Sequence, residues 1–182
     1  DAEGSFLYAF GVKGSEPGRL RGPEGVAVGG FGRVYVSDTG NHRVQVFTRE
    51  GIFLYGFGQK GSESGQLRDP GRLFVDPADF VYVFDSGNSR VQKFDAAAKP
   101  VKEFALEAQD FALDAYGFLY GLEPKPAKVR EIAPDGYVPG AFGSKGAGTG
   151  QFKNPTAIGL GDDHCDFTYV PRSTAKTPHQ GG

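Results

Sequence analysis

Methionine is absent from the 182-residue chain, cysteine occurs once, at Cys165, and there are only three histidines. A single thiol excludes an intrachain disulfide and leaves the redox compartment open. With no methionine and an aspartate in first place, the sequence reads as cut from a longer polypeptide. No apolar run approaches the ~20 residues a membrane-spanning helix needs, and no basic-then-apolar leader opens the chain. No Asn-x-Ser/Thr acceptor occurs, since Asn154 precedes proline. The formal net charge of −2 excludes a global basic field of the kind that recruits nucleic acid or an anionic membrane. No segment keeps a helical apolar period over three turns.

Hydrophobic residues make up 38% of the chain, while 29 glycines and 12 prolines together approach a quarter of it. Such a mixture fits either disorder or many tight turns. The 16 phenylalanines and 8 tyrosines decide for turns, because disordered chains are poor in aromatics. Short strands joined by Gly- and Pro-rich turns give an all-β class.

Self-similarity is the strongest signal. "FLYAFGVKGSEPGRLRGPEGVAV" from Phe6 recurs 47 positions later as "FLYGFGQKGSESGQLRDPGRLFV" from Phe53, and "VYVSDTGNHRVQVF" from Val34 recurs as "VYVFDSGNSRVQKF" from Val81. A worn third copy, "FALDAYGFLYGLEPKPAKVREI", follows at an offset of 38, having lost the Gly-rich stretch before its first strand. A fourth opens with "FGSKGAGTGQFKNPTAIGL", reaches "FTYV" and loses the pattern at Pro171. Each copy holds four short runs, a to d, of alternating or β-branched character, divided by turn clusters such as "GGFG", "DPAD", "DAYG" and "APDG". A repeating four-stranded unit of about 40–50 residues is a propeller blade. The expected fold is therefore an all-β propeller of four-stranded antiparallel blades. It has about three full blades, near 23–58, 70–106 and 111–143, with a partial blade at 155–171. An outer strand, Ser5 to Phe10, comes first, and an irregular tail follows at 172–182. The propeller segment as a whole spans 1–171. An open arc of a larger ring is the preferred reading, and four-blade closure the alternative.

The run "PEGVAVGGFGRVYVSDTGNHRVQVF", from Pro23 to Phe47, resembles an NHL repeat, as does "DPGRLFVDPADFVYVFDSGNSRVQKF" in the second copy. Members of that family usually form six-bladed propellers. The resemblance thus implies a repeat scaffold that needs more blades than this chain supplies.

Antiparallel strands send the b→c and d→a connections to one face, here the loop face, and the a→b and c→d turns to the other. Twelve cations fall on the loop face: Lys13, Arg19, Arg21, Arg43, Lys60, Arg68, Arg72, Arg90, Lys125, Lys128, Lys145 and Lys153. Seven acids oppose them: Glu16, Glu24, Asp38, Glu63, Asp69, Asp85 and Glu123. The candidate partner-binding residues are Arg19, Arg21, His42, Arg43, Lys60, Arg68, Ser89, Arg90, Lys125 and Lys145, because loops on a rigid scaffold are where binding concentrates. The recurring Asp-[Ser/Thr]-Gly-Asn-x-Arg turn (Asp38, Gly40, Asn41; Asp85, Gly87, Asn88) reads as blade architecture. Its aspartates are expected to accept N–H bonds within the turn, and Gly40 and Gly87 to supply a positive φ. Tyr8, Tyr35, Tyr55, Tyr82 and Tyr120 read as inter-blade core.

No catalytic set can be nominated. His42 and His164 belong to opposite faces and His179 to the tail, so no imidazoles converge on a zinc ion, and neither of the first two has a nucleophile partner. "GDDHCDF" (161–167) reads as an acidic turn, without calcium-loop spacing, and "GFGQKGS" lacks the spacing of a phosphate-binding loop. The expectation is a non-catalytic scaffold without metal or cofactor, binding a protein or glycan and placed outside the cell or on its surface. The alternatives are an RNA-binding propeller that uses the basic face, or a fragment of a propeller lyase or hydrolase. Open blade faces also allow self-association.

Overall fold

A computed structural model describes residues 9–125 and 127–160. Its strands, in chain order, begin with β1 (Val12–Lys13) and β2 (Arg19–Leu20). Blade I follows as β3 (Gly25–Val28), β4 (Val34–Asp38), β5 (Arg43–Phe47) and β6 (Phe53–Phe57). Blade II is β7 (Pro70–Val75), β8 (Val81–Asp85), β9 (Arg90–Phe94) and β10 (Pro100–Ala105). Blade III is β11 (Asp110–Leu113), β12 (Leu119–Glu123), β13 (Lys128–Ile132) and β14 (Gly140–Phe142), and β15 (Ser144–Lys145) and β16 (Gln151–Phe152) come last. Each blade is a four-stranded sheet in simple sequential order, and every neighbouring pair within it is antiparallel. Among the described residues there is no α-helix and no sheet closes on itself. The expected strand at Ser5 to Phe10 and the expected "FTYV" strand fall largely or wholly outside the described residues, and 155–160 carries no strand.

The turns on the a→b and c→d side form for a local reason. Asp76 Oδ1 accepts the N–H groups of Ala78 and Phe80, Asp95 Oδ1 those of Ala97 and Lys99, and Asp114 Oδ1 those of Tyr116 and Phe118. An aspartate at the first turn position thus replaces a backbone acceptor and fixes the reversal. Below these turns Tyr82 donates from its hydroxyl to Asp76 Oδ2, and Tyr120 does the same to Asp114 Oδ2.

The core lies between blades. Tyr35, Val44 and Val46 of blade I meet Leu73, Val81, Val83 and Phe94 of blade II, with Leu67 beneath. Tyr82, Phe84, Val91 and Phe104 of blade II meet Phe111, Leu119 and Ile132 of blade III in the same way. Ile158 and Phe152 then cover Ala112, Tyr120, Leu122 and Val129. The tyrosines expected in the core lie there: Tyr35, Tyr82 and Tyr120 are buried and Tyr55 packs against the cluster around Tyr35, while Tyr8 is outside the described residues. Full burial of one such side chain is worth about 1.5–3 kcal/mol, so each blade depends on its neighbours rather than on its own two faces.

Candidate functional site

The three Gly-rich d→a loops share one shape. Each closes on a parallel strand pair or bridge: Lys13 with Leu20, Lys60 with Leu67, Lys145 with Phe152. Two of them are gripped by the following blade. Asp38, fully buried at the end of β4, accepts the Arg21 N–H at 2.6 Å through Oδ1, and its Oδ2 accepts from Arg43 Nε at 2.7 Å and Gln45 Nε2 at 2.9 Å. Asn41 Nδ2 donates to both Asp38 oxygens and to the Gly14 carbonyl. Arg43 Nη2 reaches the carbonyls of Glu16 and Arg19, while Gln45 donates to Arg19 O and accepts the Gly18 N–H. Blade II repeats the clamp atom for atom with Asp85, Asn88, Arg90 and Gln92 on Gly61, Glu63, Gly65, Gln66 and Arg68. A buried carboxylate is tolerable only when paired and hydrogen-bonded, and here each is both.

Two details differ from the sequence-based expectation. The aspartates bond across to the preceding loop through the Arg21 and Arg68 N–H groups, as well as to side chains of their own turn. The positive φ falls on His42 (56°) and Ser89 (53°), each closing a single 3-10 turn, and not on Gly40 or Gly87. Those glycines are needed for close approach instead. A Cβ on Gly40 would lie 2.7 Å from Arg21 O, and one on Gly87 would lie 2.5 Å from Arg68 Cγ and 2.9 Å from Arg68 O. Gln45 and Gln92, singled out by no motif, complete the clamp. Their signal was a glutamine facing inward from a strand otherwise filled with valine and phenylalanine.

The candidate binding residues divide accordingly. Arg43 and Arg90 have their guanidinium groups drawn into the clamp, and Arg90 also pairs with Glu103 at 2.8 Å. His42 bridges blades, its Nδ1 accepting the Asp69 N–H at 3.2 Å. Arg19, Arg21, Lys60, Arg68, Ser89, Lys125 and Lys145 are exposed on the loop face. Asp38, Asp85 and Glu123 are buried, so among the described residues ten of the twelve cations are exposed on this face, against four of the seven acids, Glu16, Glu24, Glu63 and Asp69, and Glu107 of the β10–β11 connection.

Blade III departs from the pattern. Glu123 takes the aspartate position and pairs with Arg130 at 2.5 Å, and no Gly-rich loop precedes the blade. Sequence reasoning missed a second feature, on the innermost strands. Gly25, Arg72 and Asp110 occupy the same register position in β3, β7 and β11, each one residue before the a-strand residue paired with Val36, Val83 or Gly121. Arg72 Nη1 and Asp110 Oδ2 lie 3.1 Å apart and together hold both backbone polar groups of Ile158. Arg72 donates to its carbonyl at 2.8 Å, and Asp110 accepts its N–H at 3.0 Å. Burial pushes the Asp110 carboxyl above its ordinary pKa, against the opposing pull of the Ile158 N–H and the Arg72 charge. Among the described residues no group of three or more His, Cys, Asp or Glu side chains could hold a metal ion, and residues 161–167 lie outside them.

The NHL repeat family model matches residues 20–47, a span that holds the clamping side chains Asp38, Asn41, Arg43 and Gln45. Residues 20–47 thus carry an NHL repeat. Among curated relatives, the E3 ubiquitin-protein ligase TRIM32 of Homo sapiens is 50% identical over 45 residues, which are 25% of this chain and 7% of that protein. The B-box type zinc finger protein ncl-1 of Caenorhabditis elegans is 51% identical over 41 residues, 22% of this chain and 5% of that one. Among solved structures, a streptogramin B lyase gives a TM-score of 0.63 at 14% identity, covering 86% of this chain and 49% of that chain. Virginiamycin B lyase from Staphylococcus aureus gives 0.61 at 14%, covering 85% and 57%. The fold of the chain is thus that of β-propeller proteins, and the chain spans a small fraction of its curated relatives and about half of these solved chains. At such identity the lyases share the architecture alone.

Proposed function

We propose that this chain is a non-catalytic binding segment of a larger exported or cell-surface repeat protein, and that it holds a protein or glycan on its loop face. The observation that carries this reading is the clamp. It consumes the recurring aspartates and two of the arginines internally, leaving exposed cations in excess on loops whose backbone is fixed by hydrogen bonds to the clamp. Rigid loops of one dominant charge favour an anionic partner at little ordering cost. The recurring carboxylates are saturated by clamp donors, which argues against their use as general acids or bases. The exported location rests on the Gly-rich loops, which resemble those of bacterial exported repeat proteins.

The test is a panel of immobilised acidic and neutral peptides and glycans, probed with wild type, a loop-face variant (K60E/R68E/K145E) and a turn-face variant (E50K/A96K) at exposed positions. Retention should disappear in the first variant and persist in the second. Loss in the turn-face variant alone, or no retained partner at all, overturns the proposal. Retention of RNA in preference to both, weakening steeply with salt, would replace the partner class.

A further inference from the structure

Blade III lacks the Gly-rich loop that covers the b→c turn of the blades before it. Only Leu106 to Gln109 connect β10 to β11, so nothing of that kind lies over Pro124 and Lys125. The space is left as a cleft of about 420 Å³, lined by Lys125, Lys145, Gln109 and Asn154 and walled by Pro124 and Pro155. A second cleft, of about 630 Å³, runs inward to Arg72 and Ser86 and shares Gln109 and Thr156 with the first. Two shared lining residues make these one continuous groove, from the rim of blade III to the propeller axis.

We propose that this groove is the specific docking site within the loop face, and that it takes an extended acidic peptide segment with a side-chain carboxylate between Lys125 and Lys145. This rests on the loop-face reading above. The two lysines come from different connections, and among the described residues neither has an ion-pair partner. The exposed Gln109 amide offers both a donor and an acceptor to a peptide main chain. The proline walls suit the methylenes of a glutamate side chain. Nucleic acid fits less well, because stacking needs an exposed aromatic beside the cations. Phe84 is the aromatic on the groove, and it is 5% exposed. The inner half carries Glu24 and Asp110 beside Arg72, so the charge preference is sharpest at the outer end.

The experiment is fluorescence anisotropy of a fluorescein-labelled peptide of about six glutamates against wild type, K125Q, K145Q and K60Q. Removing one charge-assisted hydrogen bond from a defined site should weaken binding about tenfold, in K125Q and in K145Q alike. Lys60, exposed on the same face but outside the groove, should matter by less than about twofold, as a screened distant charge does. Equal weakening in K60Q and K145Q overturns the groove while leaving the loop-face reading intact. No binding by wild type also overturns the groove alone, because the peptide and glycan panel reads the face independently. Competition by a single-stranded RNA or a sulfated glycan at lower concentration than the peptide, with the same lysine dependence, overturns the peptide assignment. Unchanged melting of all three variants shows that the comparison is between folded proteins.

Discussion

Asp38 accepts the backbone N–H of Arg21, seventeen residues earlier, at 2.6 Å, and Asp85 stands in the same relation to Arg68 at the same distance. The carboxylate is therefore the hub that joins a blade to the loop entering it. Asp38→Ala strands the Arg43 guanidinium and the Gln45 amide beside a buried cavity. A loss of about 3–5 kcal/mol is expected from breaking such a pair, and likewise for Asp85→Ala. Urea denaturation should show this as a lower midpoint; a loss below about 1 kcal/mol would mean that the clamp does not hold the loop.

Gly87→Ala and Ser89→Gly should separate close approach from backbone conformation. The alanine methyl meets Arg68 at 2.5 Å in a turn without positive φ, and overpacking of this kind costs about 1–3 kcal/mol. Glycine at position 89 relieves a left-handed φ of 53° but loosens the unfolded chain, and the two effects nearly offset. The measured order of stabilities should be wild type near S89G, with G87A well below.

Asp110 gives a pH signature. Burial raises its pKa, so between the unfolded value and the folded one the native state binds more protons than the unfolded state. Its contribution to stability therefore grows as pH falls through that window and shrinks as pH rises out of it. Asp110→Asn removes this titration. The stability of wild type relative to D110N should improve as pH is lowered from neutrality toward the ordinary aspartate range in parallel denaturation curves, and a constant difference would show that the carboxyl is not perturbed.

Val26, Leu73 and Phe111 share one register position, yet Val26 is 67% exposed where the others are 2% and 0%. Leu73→Ala should cost about 2–5 kcal/mol, whereas Val26→Ala should cost less than about 0.5 kcal/mol in an isolated chain. A Val26→Ala cost close to that of Leu73→Ala would reveal a neighbour packed on blade I. Light scattering then distinguishes a second copy from a monomer.

Much of this was legible in the sequence because a repeat reports its own architecture. The offset between Val34 and Val81 marked the blades, and alternation marked Tyr35, Tyr82 and Tyr120 as core. The division into two faces was readable too, and Gly30 donating to Asp79 on one side and Gly40 to Arg21 on the other follow it. What the repeat could not reveal was which side chains serve the clamp. The carboxylate partner of Arg43, Asp38, lies in its own turn motif, but its other acceptors, Glu16 O and Arg19 O, are brought near it only by the fold. Nor does similarity between copies expose the residues that break it. Arg72 and Asp110 match each other and Gly25 only in register, and Lys125 and Lys145 line one cleft only because a loop is missing.

The clamps also impose an order on synthesis. Gly18 waits for Gln45 and Gly65 for Gln92, each 27 residues later. A nascent chain that has not yet released Gln92 from the ribosome has no means of locking the loop around Gly65, however complete blade I already is. Each of these two loops is thus sealed only once the blade that follows it has left the ribosome.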